Sequence, residues 1–371
     1  MAKTSIIPYG HQWIDNKDIK EVIKILKSDW LTQGPKIEEF EKAVAKYCGA
    51  KYGVVVSSGT AALHLAYTAA GIKKGDEIIT TPLTFAATSN MLVFCGAAPI
   101  FVDIKEDTLN IDSEKISKKI NGKTKAIVSV DFAGLPCDYE KILKIARENN
   151  LLVIEDACHA LGAEYKSKKI GSFADMTVLS FHPVKHITTG EGGMVLTNNK
   201  SFYEKLKLFR NHGIVKKPEK GKWYYEIENP GFNYRITDIQ CAMGLSQLKK
   251  IDKFLKKRKE IAEVYNKAFG GITEIILPKE SIFSKSAWHL YPIQVKNRKK
   301  VFDELQKKGI GVQVHYMPLH LHPFYQKKFG YKKDDFSVAE KYYEGAISLP
   351  IFPKMTNKEI QYIINSVKKI I

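Results

Sequence analysis

Lys185 closes the stretch Ser180-Phe181-His182-Pro183-Val184-Lys185, and Thr188-Thr189-Gly190-Glu191-Gly192-Gly193 follows it. A lysine in a turn between two apolar runs can lose its water, which lowers its pKa and frees the amine to form a Schiff base. Asp156 comes directly after the apolar run 151–155. In open α/β sheets, ligands bind beyond the carboxyl ends of the strands, so a carboxylate there can face a ligand; it can equally cap a helix. His159, three residues on, is placed to pack over a ligand ring or hydrogen-bond to it. Ser57-Ser58-Gly59-Thr60 lies between a strand-like and a helix-like run. A helix N-terminus offers unpaired amides and the positive end of a dipole to a phosphate. The small residues permit close approach and the hydroxyls add donors, although Ser58 or Thr60 also reads as a simple N-cap.

An anion pocket, a carboxylate and a lysine, in that chain order and each at a strand end, meet the needs of pyridoxal 5'-phosphate. That cofactor takes a helix N-terminus for its phosphate, an acid for its ring nitrogen and an amine for its aldehyde. Competing chemistries fit less well. His315, His320 and His322 are close in sequence but lie among prolines, and no pair has metal-ligand spacing, so no metal is expected. No G-x-S-x-G elbow is present for serine hydrolysis.

The elements that must carry these residues alternate between strand-like and helix-like. Strands are expected at 52–56, 77–81, 99–103, 125–131, 151–155, 176–181 and 193–197, with helices at 19–27, 37–47, 60–70, 86–94 and 139–149. This alternation predicts an α/β fold with a mostly parallel sheet. After residue 236 the pattern turns helical, over 236–248 and 251–269, and Gly270-Gly271 ends the second run. A strand at 289–295, a helix at 299–308, a strand at 312–316 and a helix from about 358 complete the chain. The division is expected near residue 250, giving a large domain over 1–250 and a small one over 251–371.

Composition bounds the function. The chain has 371 residues, 44% hydrophobic and 26% charged, enough apolar material for a core. Its net charge of +18 comes mostly from dispersed lysines, and Arg147, Arg210, Arg235, Arg258 and Arg298 are the only arginines. Without an arginine cluster to read base edges, a solvated basic surface is favoured over a nucleic-acid footprint. No apolar run of membrane-spanning length occurs. Residues 1–10 lack the apolar stretch of a secretory leader, so a cytoplasmic protein is expected. The five cysteines form no C-x-x-C pair and are expected to be buried reduced thiols.

With these residues in view, the sequence resembles the DegT/DnrJ/StrS family of sugar aminotransferases over essentially its whole length. The likeness rests on Leu31-Thr32-Gln33-Gly34-Pro35, Ser58-Gly59-Thr60-Ala61-Ala62-Leu63, Thr81-Pro82-Leu83-Thr84-Phe85, Glu155-Asp156-Ala157-Cys158-His159 and Gly231-Phe232-Asn233-Tyr234-Arg235. Further stretches, Pro8-Tyr9-Gly10-His11-Gln12, Ser28-Asp29-Trp30 and Val314-His315-Tyr316-Met317-Pro318, resemble the branch serving pseudaminic acid biosynthesis. The resemblance implies fold type I of the pyridoxal phosphate enzymes, with a seven-stranded sheet, and a homodimer with shared active sites. It implies transfer of the amino group of L-glutamate to C4 of a UDP-linked 4-keto-6-deoxy sugar, or to another nucleotide-linked keto sugar. Carried over by motif, Lys185 matches the Schiff-base lysine and Asp156 the partner of the ring nitrogen. Phe85 matches an aromatic placed against the cofactor. Ser58, Gly59, Thr60 and Ser180 match phosphate contacts, and Asn233 a residue supplied across the dimer. Tyr9, Asp29, Trp30, Leu31 and Thr32, together with His315, Tyr316, Met317 and Pro318, match substrate-contacting segments. Arg235 is a candidate for the glutamate carboxylates because arginines are so few.

Overall fold

The computed structural model describes residues 6–371. The reading of residues 1–10 as lacking a leader therefore falls partly outside the described residues. Seven strands form the main sheet: β1 (Tyr52–Val56), β2 (Glu77–Thr80), β3 (Ala98–Phe101), β4 (Thr124–Val130), β5 (Leu152–Asp156), β6 (Met176–Ser180) and β7 (Gly193–Thr197). Their spatial order is β1-β7-β6-β5-β4-β2-β3. β6, β5, β4, β2 and β3 pair in parallel, and β7 alone runs against its neighbours β1 and β6. Apolar runs such as Val54-Val55-Val56 and Ile127-Val128 are buried on both faces, as a parallel sheet covered by helices requires.

Local chemistry sets the helix ends. Helix α1 (Asn16–Leu26) begins with a capping box in which Asp15 and Asp18 each accept the other's amide. Helix α2 (Pro35–Cys48) has proline in its first turn and stops at Gly49, whose φ of 73° suits glycine. Helix α3 (Gly59–Ala69) is capped by the Ser58 hydroxyl, which accepts from the Ala61 amide. Helix α4 (Ala86–Phe94) follows β2 and starts right after Phe85. A second hydrophobic cluster surrounds an antiparallel three-stranded sheet of Ile275–Ile276, Tyr291–Val295 and Ala346–Leu349. The helices Ile251–Phe269, Arg298–Lys307 and Asn357–Ile370 each contribute apolar side chains to it.

Some expectations shift. Asp156 is the last residue of β5 rather than the first beyond it. The run 312–316 is not a strand: Gln313 makes a single bridge to Ser348. The Gly311 amide is taken by the Ile7 carbonyl at 2.7 Å, and His315 and Tyr316 turn toward the main sheet instead of pairing. The helices Lys200–Arg210, Pro323–Phe329 and Ser337–Gly345 and the hairpin Ile214–Lys216/Tyr225–Ile227 go unnoticed in the sequence pattern. No helix among the described residues is long and apolar enough to cross a membrane. All five cysteines are free; Cys48, Cys137 and Cys241 are buried, while Cys95 and Cys158 are half-buried.

Candidate active site

The carboxyl ends of the parallel strands and the turns after them surround a cavity of about 370 Å³. Ser58, Gly59 and Thr60 follow β1, Thr84 and Phe85 follow β2, Asp156 ends β5, and Ser180 ends β6 with Lys185 five residues beyond. Tyr9, His159, His315 and Tyr316 complete the wall. This is the crevice where doubly wound sheets bind ligands, and its size suits a small organic molecule.

Each polar group has a definable state. The Asp156 carboxylate is buried; its Oδ2 accepts from the Thr88 hydroxyl at 2.7 Å and its Oδ1 from the Cys158 amide at 3.2 Å. With its own proton directed at Asp156, the Thr88 hydroxyl accepts from that of Thr84 at 2.8 Å, so two threonines four residues apart fix the acid. At the start of α3, Ser58 satisfies the Ala61 and Ala62 amides, leaving those of Gly59 and Thr60 for a ligand. A Cβ at position 59 would stand 3.0 Å from Cβ of Ser180, so glycine keeps open the gap between helix start and β6. The Lys185 amide closes a tight turn onto the His182 carbonyl at 2.9 Å. Burial holds the Lys185 amine below the ordinary lysine range; Cys158 and Asp156 raise it again and Arg258 lowers it further.

Aromatic rings close the other side. Tyr316 lies 5.9 Å from Phe85 between centroids, and its hydroxyl is 3.3 Å from Nε2 of His159. His315 exchanges a hydrogen bond with the Ser348 hydroxyl at 2.9 Å, and burial lowers its pKa to about 4. Nδ1 of His159 is buried without a hydrogen-bond partner, and burial holds this ring well below the usual histidine range. Behind the cavity, the Tyr139 hydroxyl donates to Asp131 Oδ1 at 2.7 Å and that of Thr177 to Glu155 Oε2 at 2.5 Å.

Several sequence candidates stand apart. Asp29, Trp30, Leu31 and Thr32 are exposed in the link between α1 and α2, where Thr32 bridges Thr237. Asn233 is exposed and bridges Asn211. Arg235 donates to Asn211 Oδ1 at 2.6 Å and lines a different, more open cleft of about 1020 Å³ with Gln33, Gly34 and Arg210. Met317 and Pro318 follow the aromatic pair but do not line the cavity; the next amide, of Leu319, donates to the Pro82 carbonyl at 2.8 Å, tying this segment to the turn that bears Phe85. Thr88 and His289 were missed. The spacing of Thr84 and Thr88 after a strand could have revealed the first, whereas nothing local marks the second.

These residues fit a phosphorylated aldehyde with a basic ring nitrogen: two free helix-terminal amides, a buried acid, an amine held toward neutrality, and an unpaired imidazole nitrogen. The sheet order and the placing of acid and lysine define fold type I of the pyridoxal phosphate enzymes. The chain belongs to the DegT/DnrJ/EryC1/StrS aminotransferase family, whose profile matches residues 12–368. It is 50% identical to an uncharacterised protein of Methanocaldococcus jannaschii, over 100% of this chain and 99% of that one. It is 43% identical to the UDP-4-amino-4,6-dideoxy-N-acetyl-β-L-altrosamine transaminase of Campylobacter jejuni, over 96% of both chains. Among solved structures, Helicobacter pylori PseC, an aminotransferase of pseudaminic acid biosynthesis, superposes with a TM-score of 0.93 at 39% identity, covering 98% of this chain and 99% of that one. Spr1654 of Streptococcus pneumoniae, assigned as a sugar aminotransferase and solved in its PLP form, gives a TM-score of 0.93 at 32% identity over 98% of each chain.

Proposed function

We propose that this chain is a pyridoxal-phosphate-dependent aminotransferase that moves the amino group of L-glutamate to C4 of UDP-2-acetamido-2,6-dideoxy-β-L-arabino-hex-4-ulose. The product would be UDP-4-amino-4,6-dideoxy-N-acetyl-β-L-altrosamine. The observation carrying this reading is full-length similarity to a transaminase of that name, joined to a cavity where Lys185, Asp156 and the α3 N-terminus converge. The cofactor, when bound, supplies an electron sink for the carbon that loses its proton. The Gly59 and Thr60 amides, with the Ser58 and Ser180 hydroxyls, hold the phosphate. Asp156, oriented by Thr88, keeps the ring nitrogen protonated. Lys185 would hold the aldehyde, and its amine, when free, would move a proton at the substrate carbon. The buried His159 and the half-buried Tyr316 would keep water from that transfer, and Phe85 would offer its face to the cofactor.

Tyr9, His315 and Tyr316 border the sugar in this reading, while Met317 and Pro318 carry the chain past the cavity without lining it. Asp29 to Thr32, Asn233 and Arg235 lie outside the cavity of their own protomer and would serve the site of a second copy in a homodimer. The cluster formed by residues 261–312 and 347–367 with Ile7 supports a division near residue 250, although residues 319–346 pack against the large domain. The test is incubation of the purified protein with L-glutamate and candidate keto sugars, with the product read by NMR. An axial or equatorial amine at C4 of this UDP-sugar decides the stereochemistry. Amination of a different nucleotide sugar alone would replace this substrate and leave the aminotransferase reading standing.

A further inference from the structure

His289 lies behind Lys185, 104 residues along the chain, and is buried. Its Nε2 stands 3.4 Å from Nζ of Lys185. The ring packs 4.4 Å from that of His159 and 5.5 Å from that of His186. The buried Arg258 guanidinium donates to the carbonyls of Trp288 and His289, each at 3.2 Å, to that of Ile351 at 2.9 Å, and to that of Val184, next to Lys185, at 3.5 Å. One side chain thus fixes both members of the Lys185–His289 pair. Burial, and then the charge of Lys185, hold His289 well below the ordinary histidine range, so its ring is neutral and one nitrogen is free to accept.

Resting on the proposed role of Lys185, we propose that His289 is a positioning residue for that lysine: its Nε2 accepts a hydrogen bond from the Lys185 amine and keeps Nζ aimed into the cavity. A free lysine side chain has four flexible bonds and three donors, so an amine that must leave the cofactor and return needs such a guide. Only a hydrogen bond changes hands, and the imidazole gains no proton.

Two variants separate acceptance from packing. His289→Gln retains an acceptor but loses the ring; His289→Phe retains a ring but loses the acceptor. The full-length chain is stripped of cofactor, pyridoxal phosphate is added, and covalent capture is followed by mass spectrometry after borohydride reduction. Turnover with glutamate and the keto sugar is measured alongside. Capture at Lys185 should slow about tenfold or more in His289→Phe, as misplacement of a reacting group does. His289→Gln should stay within about threefold of the unmodified protein, with kcat rather than KM following the same order. Capture in His289→Phe equal to or faster than in His289→Gln, or two variants that match the unmodified protein, overturns the role of His289. No adduct at Lys185 in the unmodified protein overturns instead the reading of Lys185 and this inference with it.

Discussion

In the proposed reaction Lys185 and Asp156 do separate work, and their substitutions should fail in different ways. Lys185→Arg keeps a cation but cannot form the bond to an aldehyde, so turnover should fall about a thousandfold or more, matching the loss of a covalent and acid–base group. Near-normal turnover in a steady-state assay would remove Lys185 from the mechanism. Asp156→Asn keeps the shape and the Thr88 contact but removes the charge that faces the ring. Turnover should drop about a hundredfold, while borohydride still traps cofactor on Lys185. These two residues and Ser58 to Thr60 were legible because each sits within a few positions of a strand end. Thr88 was marked only by its spacing from Thr84 after a strand, and His289 was not legible at all, since its approach to Lys185 spans 104 residues. No local pattern encodes that distance. Arg235 drew attention by scarcity alone, and the structure seats it against Asn211 in another cleft.

At the scale of elements, α3 and β7 meet at Gly193. A Cβ there would lie 2.4 Å from the Ser58 carbonyl and 2.7 Å from the Gly59 amide. Gly193→Ala must therefore push the start of α3 away from β7. Retention of pyridoxal phosphate should weaken about tenfold, measured by absorbance after gel filtration, with little change in helical circular dichroism. Unchanged retention would mean that the α3 terminus does not bind the phosphate. The strands were readable because they are short apolar runs between turn residues. The helix Lys200–Arg210 was not, because its dispersed lysines mask its apolar side, of which only Leu206 is buried. Residues 312–316 have the composition of a strand, yet Gly311 is claimed by Ile7 and the rings of 315 and 316 by the cavity. Tertiary contacts overrode the local preference.

For the whole molecule, acid is the weak direction. His159, His186, His289 and His315 are all held by burial below the ordinary histidine range, His315 at about 4. Below the ordinary value of about 6.5 the unfolded chain takes up protons that the folded chain refuses, so stability falls as pH drops. Asp131, raised to about 6 by burial, and Glu155, raised by burial and by Asp131, act in the opposite sense. Glu41 is raised by burial as well, and His64 and His320 are lowered by it, so three carboxyls bind protons in the fold against six histidines that do not, and the balance favours unfolding. By about pH 4 His315 alone should have cost on the order of 3 kcal/mol. Thermal denaturation from pH 7 to pH 4.5 should show a falling midpoint; a flat or rising one would mean that these imidazoles are not neutral in the fold.

Arg258 gathers carbonyls from positions 184, 288, 289 and 351 around one guanidinium. Because one of those carbonyls belongs to Ile351, 93 residues after Arg258, the knot cannot be tied until that position has left the ribosome. On the proposed role of Lys185, a nascent polypeptide would carry the amine before it has the clasp that aims it, and capture of the vitamin would wait for that clasp.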